Sequence, residues 1–247
     1  MTSPLLDFAL LLAAHGERRD GAGNDGVAQL AADLLRRNIA GEIGIGFIKG
    51  IPAIDETLRA LASPMVLVYP LFLSDGYFNR VRLPQLLAKA GVARTVRVLD
   101  PLGLDPALAD LVARKAGMAA HEAAFAQART TVVLLAHGSA SDPASRQATE
   151  LLARRLDQRA AFLAVRSAFL EEPPSLAEVV ASVDGPAVAV GLFAGEGLHG
   201  GVDVPQLLGE LGRDRIAFAG NIGTFEGVAD LVAAAVTRAS TDGAERV

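Results

Sequence analysis

Residues 131–139 read Thr-Val-Val-Leu-Leu-Ala-His-Gly-Ser, and this stretch decides the fold. A short apolar run stopped by a glycine turn reads as a strand buried on both faces. Strands of that kind belong to parallel sheets with helices on either side. In open α/β sheets, ligands bind beyond the carboxyl ends of the strands. His137 follows the run directly and therefore stands where chemistry is expected. The same phrase occurs earlier, where an apolar run from Phe8 to Ala14 leads into His15, Gly16 and Glu17.

The two copies extend over the whole chain. His15 and His137, Phe47 and Phe169, Pro52 and Pro174, and Glu56 and Glu178 are each 122 positions apart. Pro84–Leu87 matches Pro205–Leu208 at 121, and Ala109–Val112 matches Ala229–Val232 at 120, a drift that a few loop deletions produce. Apolar runs predict strands at 8–14, 43–48, 65–73 and 95–99, then at 131–136, 162–168, 186–193 and 215–219. Helical spacing predicts helices at 24–38, 52–61, 83–90 and 106–126, then at 142–159, 174–182, 203–211 and 225–239. Pro52 is expected in a first helical turn, where proline is tolerated. The boundary falls at 126–130, giving domains 1–127 and 128–247, and the polar tail from Ala239 reads as frayed.

Composition narrows the function. The chain has 247 residues, 51% of them hydrophobic, and a net charge of −5. That charge argues against a nucleic-acid binder, which usually carries a basic excess, and an anionic substrate would need a local basic patch. There is no cysteine, so any metal must be held by histidine or oxygen ligands. No apolar stretch approaches the roughly 18 residues of a membrane helix, and Met1–Asp7 lacks the basic start of a secretory signal. The expectation is a soluble cytoplasmic protein, a monomer with pseudo-dimeric halves and no membrane partner.

Differences between the copies point to the site. After the first strand, both keep histidine, His15 and His137; after the second, Lys49 stands opposite Glu171; after the third, Phe78 stands opposite His199. Two imidazoles and a carboxylate suit a first-row divalent ion. Lysine and phenylalanine do not, so one metal site is expected, in the second half. Ser139 lacks a Gly-x-Ser-x-Gly elbow and is expected to cap the following helix region or to hydrogen-bond within its own loop; a hydrolase or transferase using it is an alternative. His121, beside Glu122 in a long helix, reads as a surface residue.

Three motifs in order, Leu134–Ser139, Phe169–Glu171 ahead of Pro174, and Gly197–Pro205, resemble the sirohydrochlorin chelatases, the ATP-independent class of cobalamin and sirohaem synthesis. The resemblance covers nearly the whole chain and is to the fused, two-repeat members. It implies an α/β fold of two flavodoxin-like or chelatase-like domains, each a four-stranded parallel sheet with helices on both faces. The reaction implied is insertion of Co²⁺ or Fe²⁺ into sirohydrochlorin, with no permanent cofactor; Ni²⁺ also suits such ligands. His137 and His199 match the family's histidines and would hold the metal and act as bases. Glu171 matches its acidic residue after the second strand, and Asp203 the acid before Val204-Pro205. The chain departs from the family at Ala140, where a basic residue is usual, and in the loop before His199; Leu73–Gly76 keeps the family's loop phrase in the other copy, without the histidine. Sirohydrochlorin is rimmed by carboxylates, so Arg18, Arg19, Lys49, Arg80 and Arg82 of the first half, and Arg146 of the second, are candidates to hold it. His15 and Ser139 are expected beside the substrate, in a cleft between the halves. Insertion is expected to fall below about pH 6.5, where free imidazole takes a proton. A non-catalytic tetrapyrrole- or metal-binding relative is the alternative.

Overall fold

A computed structural model describes residues 8–16, 24–139, 141–194, 204–211 and 215–244. Among these residues are two four-stranded sheets. The first is built from β1 (Phe8–Ala14), β2 (Glu42–Phe47), β3 (Met65–Pro70) and β4 (Thr95–Val98), in the order β2-β1-β3-β4. The second uses β5 (Thr131–Ala136), β6 (Ala164–Phe169), β7 (Ala187–Gly191) and β8 (Ile216–Asn221), in the order β6-β5-β7-β8. Every pairing is parallel. All seven residues of β1 and all six of β5 are buried. Successive side chains point to opposite faces of a strand, so both faces are covered, and this is why the central strands are apolar without alternation.

The covering helices are α1 (Asp25–Arg36), α2 (Ile54–Ala60), α3 (Leu83–Ala90), α4 (Leu108–Glu122), α5 (Ala144–Asp157), α6 (Leu176–Ser182), α7 (Val204–Leu211) and α8 (Val228–Ala244). On one face of the first sheet, Ala9, Leu11, Ala13, Val66 and Val68 pack with Ile54 and Leu58 of α2 and Leu83 and Leu86 of α3. In the second sheet, Val133, Leu135, Ala187 and Ala189 pack with Val179 and Val180 of α6 and Val204 and Leu208 of α7.

Two compact units emerge, and they divide the chain differently from the repeat. One takes Met1–Phe72, Tyr77–Asp105 and Glu226–Val247; the other takes Leu73–Gly76 and Pro106–Phe225. Helix α8 thus belongs with the first sheet. There Asp230 pairs with Arg37 at 2.6 Å, Arg238 with Asp105 at 3.2 Å, and the Ala239 carbonyl accepts from Arg97 at 2.8 Å. Helix α4 belongs with the second sheet, where Asp110 pairs with Arg159 at 2.6 Å and Lys115 lies 5.6 Å from the Phe225 ring centre.

Several local expectations are corrected. Helix α8 continues to Ala244, well past the point where the polar tail was expected to fray. Pro52 lies ahead of α2, which starts at Ile54, and its carbonyl accepts the Phe47 N–H at 3.0 Å. Pro174 does the same for Phe169 at 2.9 Å. The matched pair Glu56 and Glu178 shares one task. Each sits at the third helical position and accepts a backbone N–H from three residues before it, Ala53 at 3.1 Å and Ser175 at 2.7 Å, which satisfies a helix-start donor.

Candidate functional site

In an open sheet of this order the crossovers leave the central strand in opposite directions, and the opening lies at its carboxyl end. In the second unit that strand is β5, and His137 is the first residue beyond it. The His137 carbonyl accepts the N–H groups of Leu170 at 3.2 Å and Glu171 at 2.9 Å. The turn after β5 is thereby tied to the turn after β6. This brings His137 Nδ1 to 3.4 Å from Glu171 Oε2. Both side chains are solvent-accessible, the imidazole 41% and the carboxylate 58% exposed, so an incoming ligand can reach them. A carboxylate beside one ring nitrogen fixes the ring's orientation and leaves the other nitrogen for a ligand or a proton.

Gly138 carries the chain away with φ +75°, and Gly16 does so in the first unit with φ +70°. Glycine adopts this region without the Cβ cost that other residues bear. Space matters as well, since a Cβ on Gly138 would lie 2.7 Å from Glu172 Cγ and 3.0 Å from Phe169 Cβ. The Ser139 hydroxyl accepts the N–H groups of Ser141 at 3.3 Å and Asp142 at 3.2 Å, and so serves its own loop as expected. Beneath the turn, the Ser139 N–H donates to Glu172 Oε1 at 3.1 Å. Glu172 Oε2 faces Arg146, with Nη2 at 2.8 Å and Nε at 3.2 Å. The Arg146 guanidinium holds the Glu172 carboxyl below the usual carboxylate range, and the Ser139 N–H adds to this against the effect of burial.

The other candidates are placed as follows. His15 meets the Phe78 ring edge-on with centroids 4.5 Å apart, and Phe78 meets Tyr77 at 5.6 Å. Lys49 is exposed, and its N–H donates to the His15 carbonyl at 2.7 Å. Arg80 and Arg82 lie on a π-helical turn, Phe78–Arg82, with Arg80 exposed and Arg82 donating to Gln85 Oε1 at 3.5 Å. Arg146 is not available to a substrate carboxylate, because Glu172, Glu150 at 3.6 Å and the Pro173 carbonyl at 2.5 Å take its nitrogens, while its carbon stacks 4.4 Å over the Phe169 ring. His121 is exposed on α4. His199, Asp203, Arg18 and Arg19 lie outside the described residues. Among the described residues, no group of three or more His, Asp or Glu side chains gathers in a way that could hold a metal. No described helix is long and apolar enough to cross a membrane.

The sequence reading missed Glu172 and Arg146 as a pair. The signal was present in the copy-to-copy subtraction, which sets Glu172 against Gly50 and Arg146 against Asn24.

Comparison with known proteins was decided by a family model. The CbiX model matches twice, over residues 9–119 and 131–239. The chain belongs to the CbiX family, the sirohydrochlorin chelatases. A probable sirohydrochlorin cobaltochelatase of Halobacterium salinarum is 26% identical over 222 residues, spanning 80% of this chain and 75% of that one. The solved structure of CbiX, described as the terminal enzyme for biosynthesis of sirohaem in denitrifying bacteria, is 28% identical with a TM-score of 0.76, over 94% of this chain and 99% of that one. SirB from Bacillus subtilis, solved with Fe³⁺, is 17% identical with a TM-score of 0.80, over 97% and 98% of the two chains, and shares the fold. The expected two-sheet α/β architecture and the CbiX resemblance are both upheld.

Proposed function

We propose that this protein inserts a divalent metal, Co²⁺ or Fe²⁺, into sirohydrochlorin without ATP. The observation that carries the reading is the His137–Glu171 pair at 3.4 Å, on the carboxyl edge of the second sheet of a CbiX-family chain. Metal insertion needs a group that can hold a partly dehydrated cation and a group that can take the pyrrole N–H protons as the metal–nitrogen bonds form. A neutral imidazole does either. In this reading Glu171 orients His137 and shares the released proton, while the metal is a substrate and leaves with the product.

We assign His199 as the second imidazole from the repeat. The first copy supports this, because His15 and Phe78, which align with His137 and His199, hold their rings 4.5 Å apart. Lys49, Arg80 and Arg82 are proposed to pair with the carboxylate rim of the substrate, and His15 and Ser139 to lie beside it. Arginine suits that role through paired hydrogen bonds to one carboxylate.

Anaerobic mixing of the protein with sirohydrochlorin and each metal, followed by absorbance, tests the proposal. Metal-ring bands growing faster than without protein support it. Bands appearing only at the uncatalysed rate would make the chain a tetrapyrrole or metal carrier.

A further inference from the structure

Among the described residues, the turn that carries His137 starts like the turn that carries His15. Both have a buried central strand, a histidine, and a glycine at positive φ, +75° at Gly138 and +70° at Gly16. Both tie the histidine carbonyl to the N–H at the end of the neighbouring strand, 2.9 Å to Glu171 and 2.7 Å to Lys49. In the second copy a carboxylate lies under the turn. Glu172 accepts from the Ser139 N–H through one oxygen and from Arg146 through the other. Gly50 and Asn24 stand at the corresponding places of the first copy, so these two side chains have no counterpart there.

The link lies in the copy in which His137 faces the Glu171 carboxylate. It is also well anchored: the Arg146 guanidinium sits over the Phe169 ring and donates to the Pro173 carbonyl, and Phe169 is the last residue of β6. Glu172 therefore connects the turn after β5 to a rigid point at the end of β6. Its side chain is only 15% exposed. Gly138 is the residue that admits it, since a Cβ there would lie 2.9 Å from Glu172 Oε1.

We infer that Glu172 is a positioning residue for metal capture: held by Arg146, it fixes the His137–Ser139 turn so that the imidazole stays beside Glu171. This rests on the chelatase reading above. Groups that orient a metal-binding histidine typically change metal affinity by about 10–100-fold when removed. Orientation here is indirect, through the Ser139 N–H and the turn.

The test is Co²⁺ titration into the metal-free, full-length protein, followed by the visible absorption of the bound ion, with thermal midpoints measured in parallel. The proteins compared are the parent, Glu172→Ala, Glu172→Gln and His137→Ala. Glu172→Ala should weaken Co²⁺ binding by about tenfold or more and change the Co²⁺ spectrum. Glu172→Gln, which keeps an acceptor for Ser139 but no charge opposite Arg146, should lose less. Parent-like Co²⁺ affinity and spectrum in Glu172→Ala, with affinity lost in His137→Ala, would overturn the inference and leave the metal site standing. Unchanged affinity in His137→Ala would overturn the metal-site reading and the inference with it. Should the alanine variant fail to fold, Glu172→Gln decides: weakened Co²⁺ binding supports the positioning role and parent-like binding overturns it.

Discussion

Replacing Gly138 by alanine makes a demanding perturbation because its two costs can be separated. The first is backbone strain. At φ +75° an L-residue costs roughly 1–2 kcal/mol more than glycine. The second is overlap. The new Cβ would sit 2.7 Å from Glu172 Cγ and 3.0 Å from Phe169 Cβ, against the roughly 3.5–4.0 Å of carbon contact. Phe169 is 1% exposed and cannot yield, so Glu172 or the turn must move. Overpacking of that kind typically costs about 1–3 kcal/mol, so the sum is about 2–5 kcal/mol. For a chain of this size each kcal/mol lowers the unfolding midpoint by about 2–4 °C. Gly91→Ala isolates the strain, since φ is +64° there and nothing lies within 4 Å of the added Cβ. Gly16→Ala supplies strain and overlap in the other copy, with Phe47 Cβ at 2.7 Å. Denaturant unfolding should rank Gly138→Ala and Gly16→Ala as clearly worse than Gly91→Ala, while Co²⁺ affinity falls in Gly138→Ala alone. Equal destabilisation by Gly138→Ala and Gly91→Ala would refute the steric argument. Equal loss of Co²⁺ affinity in Gly16→Ala and Gly138→Ala would refute the assignment of the metal to the second copy.

Three further outcomes are expected. Arg80→Ala with Arg82→Ala should raise the KM for sirohydrochlorin and leave Co²⁺ affinity unchanged; an unchanged KM would discard those residues as carboxylate partners. The Glu42 carboxylate accepts the Ala62 N–H at 2.9 Å and the Ser63 hydroxyl at 2.7 Å, and these bonds hold its pKa below the usual value. Its stabilising contribution is therefore complete above the unfolded value of about 4.3 and is lost as pH falls through the lower folded value. Glu42→Gln should be less stable than the parent at neutral pH, with the gap closing toward pH 3 in urea unfolding; a constant gap would contradict this. Because α8 belongs with the first sheet and α4 with the second, fragments 1–127 and 128–247 should each lack cooperative thermal unfolding alone and regain it when mixed. Two separately cooperative fragments would contradict that division.

The sheets were legible because burial on both faces leaves little freedom of composition: Phe8–Ala14 is apolar throughout, Thr131–Ala136 is apolar after its first residue, and both became strands with those bounds. The order of chemistry along the chain was legible for the same reason, since His15 and His137 stand at the ends of those strands. The allocation of helices to sheets was not. The apolar faces of α4 and α8 say that each is buried and carry no statement of which sheet buries it. The π-helical turn at Phe78–Arg82 also escaped. Pro84 lacks the N–H that would bond the Arg80 carbonyl in a regular helix, and the Leu83 N–H reaches back five residues to the Phe78 carbonyl. At the site, Glu171 was found by its place after the second strand. Glu172 follows it directly in sequence, but its task depends on Arg146, which lies 26 positions away. Arg146, expected to meet substrate, proved to be committed to that carboxylate.

The rate of Co²⁺ insertion into sirohydrochlorin, measured anaerobically at saturating substrate for the parent and for His137→Ala, tests the central claim most directly. The account predicts insertion by the parent well above the protein-free rate and a fall to near that rate in His137→Ala. Insertion by His137→Ala at the parent rate would contradict it.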